Sequence, residues 1–98
     1  MTLHLLNKSH NNPQLLNKLL ASVKDYDCIL MIEDGVYTAL TANAALFSGL
    51  PENCKLFALE PDVSARGLTD RLDSRFTIAT DERFVELSCE MNKVVSWF

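Results

Sequence analysis

Three glycines and three prolines in 98 residues leave no room for collagen-like repeats or a Pro/Gly-rich linker. Three cysteines, an odd number without paired spacing, fit reduced thiols rather than a disulfide framework. No apolar run approaches the roughly 20 residues that a membrane helix needs. The amino terminus lacks the apolar core and small-residue cleavage site of a signal peptide, so a soluble cytoplasmic protein is expected. A basic excess is missing too. Asp and Glu number 13 against 9 Lys and Arg, for a net charge of −4, whereas nucleic-acid binders are usually basic. That balance argues against nucleic acid as a direct partner, though not against service in an RNA pathway. What remains, 48% hydrophobic and 22% charged, is ordinary for one globular domain covering residues 1–98.

The chemistry-bearing motifs are equally sparse. There is no glycine-rich phosphate loop and no Gly-x-Ser-x-Gly elbow. His4 and His10 have no metal-ligand spacing with each other or with a cysteine, so neither zinc nor any cofactor is expected. Cys28 falls inside an apolar run, Cys54 at the start of a strand and Cys89 within a helix. None of them sits in a loop after a strand, where a catalytic thiol would find access and a stabilised thiolate. Cys54 and Cys89 are the redox candidates because they could be partly exposed. Arg66, Arg71, Arg75 and Arg83 alternate with Asp62, Asp70, Asp73 and Asp81, a mixture that usually makes a solvated ion-pair face.

The chain is organised around Asp27–Val36. Cys28–Ile32 is an unbroken apolar run, as in a strand covered on both faces, and Glu33-Asp34-Gly35 follows where ligands meet a parallel sheet. A magnesium pocket there would need a third carboxylate and a lysine at later strand ends, and no suitable lysine exists. The plainer reading makes Asp34 the cap of the next helix and Gly35 a residue with an unusual backbone shape.

Around this centre, strands are expected at Leu3–Leu6, Cys54–Leu59 and Arg75–Ala79, with Val94–Phe98 as a fifth strand or a docked tail. Helices are expected over Pro13–Lys24, capped by Asn12, near Val63–Ala65, and after the Thr80 cap. The alternation predicts a three-layer α/β/α fold with a mainly parallel sheet of about five strands.

Val36–Pro51 has no Asp, Glu, Lys or Arg in sixteen residues. As one helix it would carry an apolar stripe through Val36, Leu40 and Phe47. Its other side, with Tyr37, Thr38, Thr41, Ala42 and Ala45, would be neutral. A helix uncharged all round is usually covered all round, and here another subunit would have to do the covering. His4 breaks an apolar strand and either hydrogen-bonds in the interior or faces a partner.

Several separated pieces resemble one family. Leu3-His4 with Leu6 and Ser9 is similar to the Leu-His-x-Leu-x-x-Ser opening of the TusB/DsrH family. Ile32-Glu33-Asp34-Gly35-Val36 resembles its Leu-Gln-Asp-Gly-Val, with Glu33 in place of glutamine. Ala58-Leu59, Asp62 and Ala65-Arg66-Gly67-Leu68 follow its Ala-Leu-x-x-Asp-x-x-Ala-Arg-Gly-Leu segment, and Phe84-Val85-x-Leu87 and Trp97 also match. The resemblance implies a DsrE-like fold and a supporting subunit of a TusB–TusC–TusD heterohexamer. It also implies passage of persulfide sulfur from TusA through TusD to TusE, for the 2-thiouridine of wobble-position tRNA. Expected interface residues are then His4, Asp34, Val36, Tyr37, Thr38, Thr41, Ala42, Ala45 and Arg66. The alternatives are a DsrH-like subunit of a sulfur-oxidation carrier, or a homo-oligomeric module that binds a small molecule at Asp34-Gly35.

Overall fold

A computed structural model describes residues 1–98. Five strands, β1 (Thr2–Leu6), β2 (Cys28–Met31), β3 (Lys55–Leu59), β4 (Phe76–Ala79) and β5 (Lys93–Trp97), form one sheet in the order β4-β3-β2-β1-β5. Every neighbouring pair is parallel, so the carboxyl-terminal residues are a true edge strand, in register with β1 from Thr2↔Lys93 to Leu6↔Trp97.

Both faces of the sheet are covered, which is why β2 reads as an unbroken apolar run. On one face lie Leu16 and Leu19 of α1 (Pro13–Ser22), Val36, Ala39 and Phe47 of the following connection, and Val63 of α2 (Glu60–Ala65). They pack with Leu6, Ile29, Met31, Leu56 and Ala58. On the other face α3 (Asp81–Glu90) sets Leu87, with Phe84 beside it, against Leu3, Leu5, Leu30, Phe57 and Leu59.

The helix ends explain themselves locally. Thr80 caps α3 by accepting the Arg83 N–H at 3.1 Å. Past α2, Gly67 takes φ +65° while its N–H reaches the Ser64 carbonyl and the Leu68 N–H reaches Val63, a Schellman closure. Asn12 does precede α1, with Pro13 in the first turn, but its side chain makes no capping bond.

The expected single helix over Val36–Pro51 is instead two 3-10 segments, Glu33–Ala39 and Thr41–Phe47, broken at Leu40 where ψ turns to 147°. Leu40 is there drafted into an antiparallel bridge with Leu72. Bonds from the residues flanking Leu40 to those flanking Leu72, on the β3–β4 connection, replace the continuation of a helix: Thr41 N–H to Arg71 O at 3.1 Å and Asp73 N–H to Ala39 O at 2.8 Å. A 3-10 helix repeats every three residues, so the faces differ from those an α-helix would present.

Candidate subunit interface

The turn after β2 adopts a strained backbone and is held by two side chains, Asp62 of α2 and Arg66 at its carboxyl end. Glu33 sits at φ 49°, a conformation costly for a residue with a Cβ. Its N–H donates to Asp62 Oδ2 at 2.7 Å. Gly35 follows, and its role is proximity rather than an unusual φ. A Cβ there would lie 2.1 Å from the Leu6 carbonyl oxygen. Asp34 is no helix cap; its Oδ1 accepts from Arg66 Nε at 3.2 Å and Nη2 at 3.0 Å. The same guanidinium donates to the Asp62 carbonyl at 3.1 Å and lies 6.0 Å from the centre of the Tyr37 ring. Asp34 and Tyr37 thus form one cluster with Arg66, some thirty residues further along the chain, at the carboxyl end of the sheet.

Threefold periodicity sorts the rest. In the first 3-10 segment, Gly35, Val36, Thr38 and Ala39 are buried, while on the third row Asp34 is exposed and Tyr37 and Leu40 are half-buried, each packed in part against the core. In the second, Ala42, Ala45 and Ser48 form an exposed row, flanked by exposed Thr41 and by Leu46, which is 42% exposed. The outward surface is therefore exposed Asp34, Thr41, Ala42 and Ala45 with half-buried Tyr37 and Arg66, joined by exposed Leu46 and by half-buried Leu40, which a single helix would have kept on its apolar stripe.

Three expected interface residues face the interior instead. Val36 fills the core against the sheet. Thr38 is wholly buried, and its hydroxyl donates to the Gly35 carbonyl at 2.7 Å. His4 is 3% exposed, with Nε2 3.0 Å from Asp27 Oδ2 and Nδ1 accepting from Trp97 Nε1 at 3.1 Å. The partner that this histidine faces is its own chain.

The thiols divide by burial. Cys28 and Cys54 are buried, and burial pushes both thiols up, Cys54 to about 11. Cys54 is therefore a poor redox candidate, since the thiolate is the reactive form. Cys89 is exposed on α3. Nowhere do three His, Cys, Asp or Glu side chains converge as metal ligands. The arginines do not share one solvated face: Arg66 binds Asp34, and Arg75 donates to the Phe47 and Pro51 carbonyls at 2.9 and 3.1 Å. Arg83 pairs with Glu86 and Glu90.

Against known proteins, the family described as DsrH like protein matches residues 8–94. The chain belongs to that family. It is similar to Protein TusB of Pectobacterium parmentieri, 30% identical over 95 residues that cover 97% of this chain and 99% of that protein. Protein TusB of Buchnera aphidicola subspecies Baizongia pistaciae is 34% identical over 97 residues, with the same coverage. Among solved structures, protein Tm0979 of Thermotoga maritima superposes with a TM-score of 0.68 at 26% identity, covering 92% of this chain and 93% of that one. A protein of unknown function from Methanobacterium thermoautotrophicum, MTH1491, gives 0.67 over 97% and 96% of the two chains; at 14% identity it speaks to the fold alone. The DsrH-like fold is thus the parallel, helix-flanked sheet described above.

Two features of this DsrH-like chain escaped sequence reasoning. The first is the pairing of His4 with Asp27 and Trp97, which needs three strands side by side. The polar residues interrupting apolar strands were its one available sign. The second is Arg71, brought beside Leu40 by the bridge to Leu72. No helical or strand periodicity could have placed it there.

Proposed function

We propose that this chain is a non-catalytic subunit of a cytoplasmic TusBCD-type sulfur relay. In that assembly TusC-like and TusD-like chains would cover its outward surface. Persulfide sulfur would pass from a TusA-like donor toward a TusE-like acceptor, for 2-thiolation of wobble uridine in tRNA. The observation that carries the reading is the surface built by Leu40, Thr41, Ala42, Ala45 and Leu46. It is free of acidic and basic side chains on its own segment, and it adjoins the Asp34–Arg66 cluster. Charge-depleted cores with polar rims mark protein–protein interfaces. The two buried thiols with raised pKa support a structural rather than a sulfur-carrying role.

Co-expression with TusC-like and TusD-like chains tests this directly. One species containing all three on size-exclusion chromatography is expected, and Ala45→Arg should break it up by putting an unpaired charge into the contact. A chain that stays monomeric beside both partners refutes the proposal. Relay activity should survive Cys89→Ser. Its loss in an intact complex would make this chain a sulfur carrier in its own right.

A further inference from the structure

Beside the outward 3-10 row lies a shallow hollow of about 320 Å³, lined by Leu40, Thr41, Ala42 and Arg71. Its floor is stiff. The Arg71 carbonyl accepts both the Thr41 N–H at 3.1 Å and the Thr41 hydroxyl at 3.2 Å, and Leu40 bridges Leu72 alongside. The Thr41 N–H and hydroxyl proton are thereby used, so the one unpaired side-chain donor in the lining is the Arg71 guanidinium. Arg66, Arg75 and Arg83 all bind carboxylates or carbonyls within the chain, but Arg71 forms no ion pair and no side-chain hydrogen bond. Its sequence neighbours do not neutralise it. Asp73 accepts the Arg75 N–H at 3.2 Å, and Asp70 stays outside ion-pair distance.

Covering this hollow would strip water from a cation, which is unfavourable unless a counter-charge with matching geometry arrives with the cover. The guanidinium fork matches a carboxylate through two parallel hydrogen bonds, and arginine is enriched at the energetic centres of interfaces for that reason. Nucleic-acid phosphate is the weaker fit. A single arginine in apolar surroundings, on a chain of net charge −4, lacks the row of cations that phosphate binding uses.

We infer that the partner subunit seated on this face carries an aspartate or glutamate, set among apolar side chains, that pairs with Arg71. The inference rests on the proposed interface and adds the chemistry of its counterpart.

The test uses the co-expressed complex with Arg71→Glu, Arg71→Gln and Ala45→Arg variants. Thermal melting of each isolated chain checks that this solvent-exposed residue leaves the fold intact. Arg71→Glu should weaken assembly at least tenfold and Arg71→Gln less. One Asp→Lys or Glu→Lys change on the partner should restore binding to Arg71→Glu. Normal assembly of Arg71→Glu, while Ala45→Arg fails, overturns the inference and leaves the interface standing. Normal assembly of both removes the interface and the inference together. Failure of every partner charge swap to restore binding also overturns it, as does tRNA binding by the isolated chain that Arg71→Glu abolishes.

Discussion

His4 and Trp97 fix each other's chemistry across the β1–β5 pair. Trp97 Nε1 is a donor only, so His4 Nδ1, 3.1 Å away, must accept, and the imidazole proton resides on Nε2. That proton points at Asp27 Oδ2, 3.0 Å off, and Asp27 also accepts the backbone N–H groups of Thr2 and Lys24. Indole, imidazole and carboxylate thus lock β5, β1 and the start of β2 together, with the two rings stacked at an interplanar angle of 21°.

Asp27 makes the fold sensitive to acid. Burial pushes its carboxyl up, but the bonds from His4, Lys24 and Thr2 together outweigh burial and hold it below the usual value. A carboxyl depressed in the folded state contributes fully above its unfolded pKa. That contribution is lost as pH falls through the folded value. Denaturant titrations between about pH 6 and pH 3 should show stability declining on acidification. Asp27→Asn should lower the neutral-pH stability by about 1–3 kcal/mol and flatten the acid decline. An unchanged slope would contradict this account.

Trp97→Phe isolates the indole's hydrogen bond. It keeps an aromatic ring against the core but leaves the buried Nδ1 of His4 without its donor, at a cost of about 1–2 kcal/mol in urea unfolding. Because Trp97 is the one tryptophan, its fluorescence reports the docking of β5 directly. Its emission should shift to the red at lower denaturant in His4→Ala than in the parent chain. Coincident transitions would mean that the β5 lock is not made through His4.

How far such features could be read in advance depends on the range of the interaction. The apolar run of Cys28–Ile32, the Thr80 cap and the strand–helix alternation are set by neighbours in sequence, and the observed elements follow them to within a residue or two, except that α2 begins at Glu60, three residues before the expected Val63. Val36–Pro51 was legible as uncharged but not as two 3-10 segments. Leu40 breaks the helix to bond a loop some thirty residues away, and that break alters which side chains face out. Asp34, Tyr37 and Arg66 were each candidates, yet only the α2 contact reveals them as one cluster. His4 pointed to either the interior or a partner. Strand order, which places Trp97 beside it, decided for the interior.

The three glycines should respond differently to alanine. At Gly35 a Cβ would meet the Leu6 carbonyl at 2.1 Å, and backbone on both sides must shift, so a loss of roughly 1–3 kcal/mol or more is expected. Gly67 has open space but φ +65°, which predicts a loss of about 1 kcal/mol. Gly49 has neither constraint, and its replacement should be neutral within about 0.5 kcal/mol. Urea midpoints of the three variants check the ranking. A Gly49→Ala loss as large as that of Gly35→Ala would show that proximity to Leu6 is not what selects glycine there.

Thiol labelling gives the last test, because burial and thiolate formation act in the same direction. Cys54, with its thiol pushed up to about 11, would hold about one thiolate in a thousand at pH 8 even if reagent could reach it, and the side chain is buried. Cys28 is likewise buried with its thiol raised. Brief iodoacetamide treatment of the native chain should therefore add one label, at Cys89, and three labels in denaturant. The same order should hold for sulfur offered by a cysteine-dependent sulfurtransferase, so that any added sulfur resides on Cys89. Labelling of Cys54 in the folded chain would mean that the Pro51–Cys54 loop opens readily. It would also return that thiol to candidacy as a sulfur carrier.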